Sequence, residues 1–190
     1  MRIQRTLLLI ALALCSLISC SDSQDDTRKE AYVFLNQFFA NAGDDDFIED
    51  SIIYLSDTNT LSPPNLGDYD NTTDYLVDLL ATDNKEYIQN QLRNINGINL
   101  KELKAKNVIV VPASQLEYTS DYVEYFKKNG IAEPEGLYKI STPIFSPNLD
   151  KAYFRIGYIC GGHCGGTEDR YYVKENGKWM LKEVVGGSVY

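Results

Sequence analysis

"LYKISTPIFSPNLDKAYFRIGYICGGHCGGTEDRYYVKENGKWMLKEVV", residues 137 to 185, decides the fold. Apolar residues recur there at every second position, in runs over 137–146, 151–160, 169–175 and 178–185. Alternation at period two marks strands with one buried face. Each run ends in a turn signal: "SPNLD", the glycine loop "CGGHCGG", and Asn176-Gly177, the pair best suited to a two-residue hairpin turn. Connections this short force antiparallel pairing of neighbours. The segment therefore predicts an antiparallel meander of about four strands.

Upstream the period is helical. Ala31, Phe34, Leu35, Phe38, Phe39 and Ala42 recur at helical spacing from about Glu30, with Gly43 in the C-cap position. "DDDFIED" lacks the alternating ligands and glycine of a calcium loop and reads as a solvated turn. "SIIYL" fits a strand or a helical turn. Asp68, Asp70, Thr72 and Asp74 imitate the front of a calcium loop without its distal glutamate, so Asn71 or Thr72 is expected to cap a helix burying Leu76, Leu79 and Leu80. A further helix carries Tyr87, Ile88 and Leu92 and ends at Asn96-Gly97; "NVIVVP" is a short strand; "TSDYVEYFKKNG" is a capped helix. Runs of helix followed by runs of strand predict an α+β domain, with N-terminal helices on the C-terminal meander. An NTF2-like cone is the alternative arrangement.

The first residues have a different character. Arg2 and Arg5 precede an apolar run from Leu7 to Ile18 that is too short to span a bilayer. The run closes on Leu17-Ile18-Ser19-Cys20, which resembles the lipobox of bacterial lipoproteins, cleaved before a cysteine whose thiol carries a diacylglycerol. The resemblance implies a signal peptide over 1–19, lipidation of Cys20 and a tether over 20–29; the remaining length, 30–190, suits one domain. More than one acyl chain suffices for stable anchoring. Ser21 is in keeping with outer-membrane sorting, and "SDSQDDTRKE" resembles the acidic export tether of surface lipoproteins of the Bacteroidetes. "Asp50-Ser51-Ile52" resembles the O-glycosylation acceptor of that phylum.

Of four cysteines, Cys15 leaves with the signal and Cys20 is lipidated, so Cys160 and Cys164 remain as an even pair in an oxidising compartment. A thioredoxin-type centre needs two residues between its cysteines and a helix after them; "CGGHC" has three and follows a strand. Zinc needs four ligands, and only Cys160, Cys164 and His163 are on offer. No P-loop lysine follows the glycines. A disulfide clasp across the hairpin is the expectation; so short a loop adds only about 2 kcal/mol. No cofactor or metal is implied.

The formal charge is -9, from 18 basic and 27 acidic residues, which argues against nucleic acid and anionic lipid surfaces. The distribution is uneven: 9 basic and 22 acidic groups over 21–137, against 7 and 5 over 138–190. Period two assigns Phe154, Ile156, Tyr171, Val173, Trp179, Leu181 and Val185 to the core face. The other face then carries Tyr153, Arg155, Arg170, Tyr172, Lys174 and Lys182. Those lysines are a solvated face opposing edge pairing, or a docking face for the acidic helices. As a ligand face, the six residues would bind an anionic or carbohydrate envelope ligand.

The segment Tyr125 to Leu181 also resembles a group of bacterial envelope proteins, many from the Bacteroidetes. The likeness rests on a Ser-x-Pro-Ile-Phe strand (Ser141 to Phe145), a Cys-Gly…Cys-Gly loop (Cys160 to Gly166) and Gly-x-Trp (Gly177 to Trp179), with one residue more between the cysteines than the group has. It implies fold and compartment and carries no activity with it. The expected function is a lipid-anchored, non-catalytic binding or interaction module of the cell envelope, on the outer membrane and surface-exposed. The alternative is a thiol-dependent envelope enzyme using Cys160 and Cys164. His163 has no nucleophile or base partner in the sequence and reads as an exposed loop residue.

Overall fold

A computed structural model describes residues 24–48, 52–57, 61, 71–94, 97–112, 121–130, 136–161 and 164–189. The expected signal peptide, Cys20, Asp50-Ser51, Asp68, Asp70, Asn96 and His163 lie outside these residues. Helix α1 covers 24–40. It is followed by β1 (Ile53–Ser56), α2 (Thr72–Leu79), α3 (Lys85–Arg93), β2 (Val108–Val111) and α4 (Asp121–Lys128). The remaining strands are β3 (Leu137–Ile140), β4 (Ile144–Phe145), β5 (Lys151–Gly161), β6 (Cys164–Glu175) and β7 (Lys178–Val189).

Helix α1 begins inside the stretch expected to be a tether. Its first turn is polar and exposed, held by Lys29 against Asp25 at 2.6 Å, an i,i+4 pair, and by Thr27 Oγ1 against Tyr87 Oη at 3.2 Å. A turn of this kind carries no apolar period to betray it. Farther along, Ala31, Phe34, Leu35, Phe38, Phe39 and Ala42 are all buried, as their spacing predicts. Gly43 does not cap α1; it lies in a 3-10 turn, Ala42–Asp44. Asn71 does cap α2, its side chain accepting the Asp74 N–H at 3.0 Å, and Asn84 caps α3 in the same way.

The fold is α+β, and its sheet has seven strands in the order β2-β1-β3-β5-β6-β7, with β4 beside β5. The meander β3-β5-β6-β7 is antiparallel throughout. Asn176 and Gly177, at φ 50° and 77°, make the tight turn between β6 and β7 that their sequence announces. The first expected strand is broken into β3 and β4 around Pro143, which has no N–H to give a ladder. Beyond β3 the sheet continues into β1 and β2, which pair in parallel.

Both faces of the sheet are covered. Phe154, Ile156, Tyr172 and Trp179 pack under α1. Tyr153, adjacent to Phe154 and so on the opposite face, packs with Ile144 against Leu76, Leu80 and Ile88 of the α2–α3 region. Phe126 of α4 covers Tyr54, Val111 and Leu137 on that second face. Helices on both faces distinguish the arrangement from a cone that wraps its sheet around helices on one side.

Phe34 is the anchor of α1. Its ring lies 4.9 Å from that of Tyr172, 5.2 Å from Phe154 and 5.5 Å from Trp179, each edge-on. Phe34→Ala is expected to lower unfolding free energy by about 3–5 kcal/mol in urea titrations of the oxidised protein. Val33→Ala, one residue away on the exposed side, should change it by less than about 0.5 kcal/mol. Equal effects would show that α1 is not docked as described.

Candidate functional site

The register of β6 against β5 decides where the six expected ligand residues go. Phe154 lies opposite Arg170, Ala152 opposite Tyr172, Tyr153 opposite Tyr171 and Arg155 opposite Asp169. Residues directly opposite share a face. Arg170, Tyr172 and Lys174 therefore sit with Phe154 under α1, while Tyr153 and Arg155 lie on the other face. Lys182 stands where the β6–β7 register shifts, between Tyr171 and Tyr172. The single face of cations and tyrosines does not form. Tyr171, Tyr172 and Val173 are apolar at three consecutive positions, so period two fits either phase of β6. Tyr171 and Val173, expected in the core, are only half-buried, and Leu181 is exposed.

Under α1 the cations are spent on internal partners. Arg170, 2% exposed, holds Asp45 with both terminal nitrogens, at 2.5 and 2.8 Å, and reaches Glu168 through Nε at 2.8 Å. Its guanidinium lies over the rings of Phe38 and Phe47, at 5.8 and 5.5 Å. Asp45 belongs to "DDDFIED", where the sequence gave no sign of a long-range partner. Glu30 accepts from Lys174 Nζ and from the indole Nε1 of Trp179, each at 2.8 Å. Gln37 completes the seam: its amide nitrogen donates to the Trp179 carbonyl at 2.7 Å, and its oxygen accepts the Trp179 N–H at 3.0 Å.

The second face carries a smaller network. The buried Tyr153 hydroxyl donates to Asp169 Oδ1 at 2.5 Å, and Arg155 Nε stands 3.4 Å from the same oxygen. Arg155 Nη2 donates to Thr167 Oγ1 at 3.3 Å, which in turn meets Ser188 Oγ at 3.0 Å. Gly186 leaves room for the carboxylate, since a Cβ there would lie 3.1 Å from Asp169 Oδ2. Lys182 is exposed and pairs with Glu175 at 2.5 Å, a contact of little energetic weight.

At the far end of the β5–β6 hairpin, Cys160 and Cys164 form a disulfide with Cα atoms 5.2 Å apart. The register of the ladder shifts between Ile159 and Gly161, and Gly161 pairs with Cys164. Cys164 is exposed and Cys160 partly so. Among the described residues no group of three or more His, Cys, Asp or Glu is placed to hold a metal ion, and no helix is long and apolar enough to cross a membrane. No family model, curated protein or solved structure matches the chain.

Burial, then the Asp169 carboxylate and the hydrogen bond to it, push the Tyr153 hydroxyl far above its ordinary 10.0. Burial also raises Tyr172, against the opposing pull of Arg170. The folded pKa of each exceeds the unfolded one, so the folded state retains protons that the unfolded chain releases in alkali. Their stabilisation is complete below pH 10 and is lost as pH climbs toward the folded values. Stability should fall above about pH 10, with tyrosinate absorbance of the buried pair appearing only as circular dichroism is lost. Tyr153→Phe should flatten that slope. Ionisation of all 14 tyrosines in a chain still folded would contradict the assignment.

Proposed function

We propose that the chain is a lipid-anchored protein of the bacterial cell envelope, held on the outer membrane through Cys20 and exposed at the surface. There it works as a binding or interaction module without catalysis. The observation that carries this reading is the Cys160–Cys164 bond, which belongs to an oxidising compartment. It agrees with the lipobox-like ending of the first twenty residues. The ionisable groups gathered on the sheet support the non-catalytic half, because Arg170, Lys174, Asp45 and Glu30 are turned on each other. An anionic or carbohydrate ligand using this sheet would meet Lys182, the one of the six expected residues that is exposed, with Arg155 and Lys174 half-buried beside their internal partners.

The anchor is tested by expressing the full chain in a diderm bacterium with a clickable palmitate analogue. The wild type should fractionate with membranes and carry the label; Cys20→Ala should lose both. Unlabelled, soluble wild-type protein would overturn the reading.

Exposure of Cys164 favours a second reading, a thiol-dependent envelope enzyme. The cysteines sit at the end of the β5–β6 hairpin, where Gly161 pairs with Cys164 beyond the register shift, which holds the thiols together after reduction and favours reclosure. A reduction potential below about -300 mV is therefore expected in graded thiol buffers, with alkylated thiols counted by intact mass. A value near -200 mV would put the enzyme reading ahead.

A further inference from the structure

The course of α1 determines which end of the domain the proposed anchor holds to the bilayer. Its contacts with β6 run in order along the strand. Glu30 meets Lys174 at 2.8 Å, Phe34 meets Tyr172 with ring centroids 4.9 Å apart, and Phe38 lies under Arg170 at 5.8 Å. Past the helix, Phe47 packs on Tyr158 at 5.2 Å, and Tyr158 is paired with Gly166 near the clasp. Helix α1 thus runs opposite to β6, from the Asn176-Gly177 turn toward Cys160–Cys164. Its first turn is pinned to α3 by Thr27 against Tyr87.

Two lengths then set the geometry. From Cys20 to Gln24, where α1 is already helical, there are four Cα steps, a reach of at most about 14 Å. Strand β6 from Gly166 to Glu175 extends about 30 Å. The tether cannot span the sheet, so a lipid on Cys20 holds the start of α1 and the β6–β7 turn near the headgroups. We infer that the anchored domain stands on the membrane by that end, and presents the Cys160–Cys164 clasp and the C-terminal end of β7 outward, away from the bilayer. This rests on the lipid anchor proposed above.

The test uses the full, acylated chain in vesicles of phosphatidylethanolamine and phosphatidylglycerol containing a lipid with a nitroxide on its headgroup. A fluorophore is placed by Asn176→Cys or by Val189→Cys, both exposed positions, with Cys160–Cys164 kept oxidised. Val189 pairs with Gly166, so the two labels report opposite ends of β6. The label at 176 should be quenched several-fold more than the label at 189. Equal quenching, or stronger quenching at 189, with acylation of Cys20 verified by intact mass, would overturn the orientation and leave the anchor standing. A chain from membranes with no acyl mass on Cys20 would overturn the anchor, and the orientation with it.

Discussion

Helix α1 holds the edge strand β7 through one residue, Trp179, and the order of the sheet follows from that grip. Glu30 takes the indole N–H, Gln37 takes both main-chain groups, and Phe34 and Phe145 bring their rings to 5.5 Å. Among the described residues β7 has a sheet neighbour on one side, and Met180, Leu181, Val184 and Val189 along it are exposed. An edge this long offers its backbone to any passing strand unless something closes it. Gln37 closes it at Trp179, and the two register shifts against β6 bend it beyond. Gln91 of α3 does the same for β4, donating to the Phe145 carbonyl at 2.8 Å and accepting its N–H at 2.9 Å. One side-chain amide has the donor and acceptor that a strand residue would supply.

Covering the sheet on both faces changes what its charged residues can do. A cation on a wet sheet face is free to meet a ligand. A cation under a helix must find an internal partner or lose its hydration uncompensated. Arg170 and Lys174 have found Asp45, Glu168 and Glu30, and Tyr153 and Arg155 have found Asp169. The acidic N-terminal half and the more basic C-terminal half of the chain are thus complementary parts of one fold. The charge asymmetry that looked like a ligand face is, for Arg170 and Lys174, the docking of α1 and the turn after it onto β6. The clasp lies apart from these networks at the tip of the hairpin.

Most of the architecture was legible, and the gaps have specific causes. The buried stripe of α1, the cap at Asn71, the strand at 108–111 and the Asn176-Gly177 turn each rest on local pattern. The parallel pairing of β1 with β2 does not, because it joins segments more than fifty residues apart whose short apolar runs fit several partners. The candidate site was less legible still. Asp45 lies in an acidic stretch where neighbours of the same charge conceal the one residue that reaches across the fold, and Glu30 follows Arg28 and Lys29, which offer it local partners. Nothing in "YVFLNQFF" distinguishes Gln37 from any polar residue on a helix.

The phase of β6 is where sequence and fold part, and it shows what the buried ion pairs are for. Tyr171 and Tyr172 are nearly equal in apolar area, so hydrophobic burial alone does not choose which of them faces α1. A slip of one residue would turn every side chain of β6 to the opposite face. In the observed register Arg170 meets Asp45 and Lys174 meets Glu30; after a slip both cations would lie under α2 and α3, away from those carboxylates. Asp169 would likewise leave the Tyr153 hydroxyl and Arg155. Burying such charges costs several kcal/mol in lost hydration, and apolar residues of the same volume would serve stability as well or better. What apolar residues would not supply is the penalty on the wrong register. The pairs on the two faces of β6 exclude the same slip from opposite sides, and Phe34, Tyr172 and Trp179 can then pack in one arrangement only.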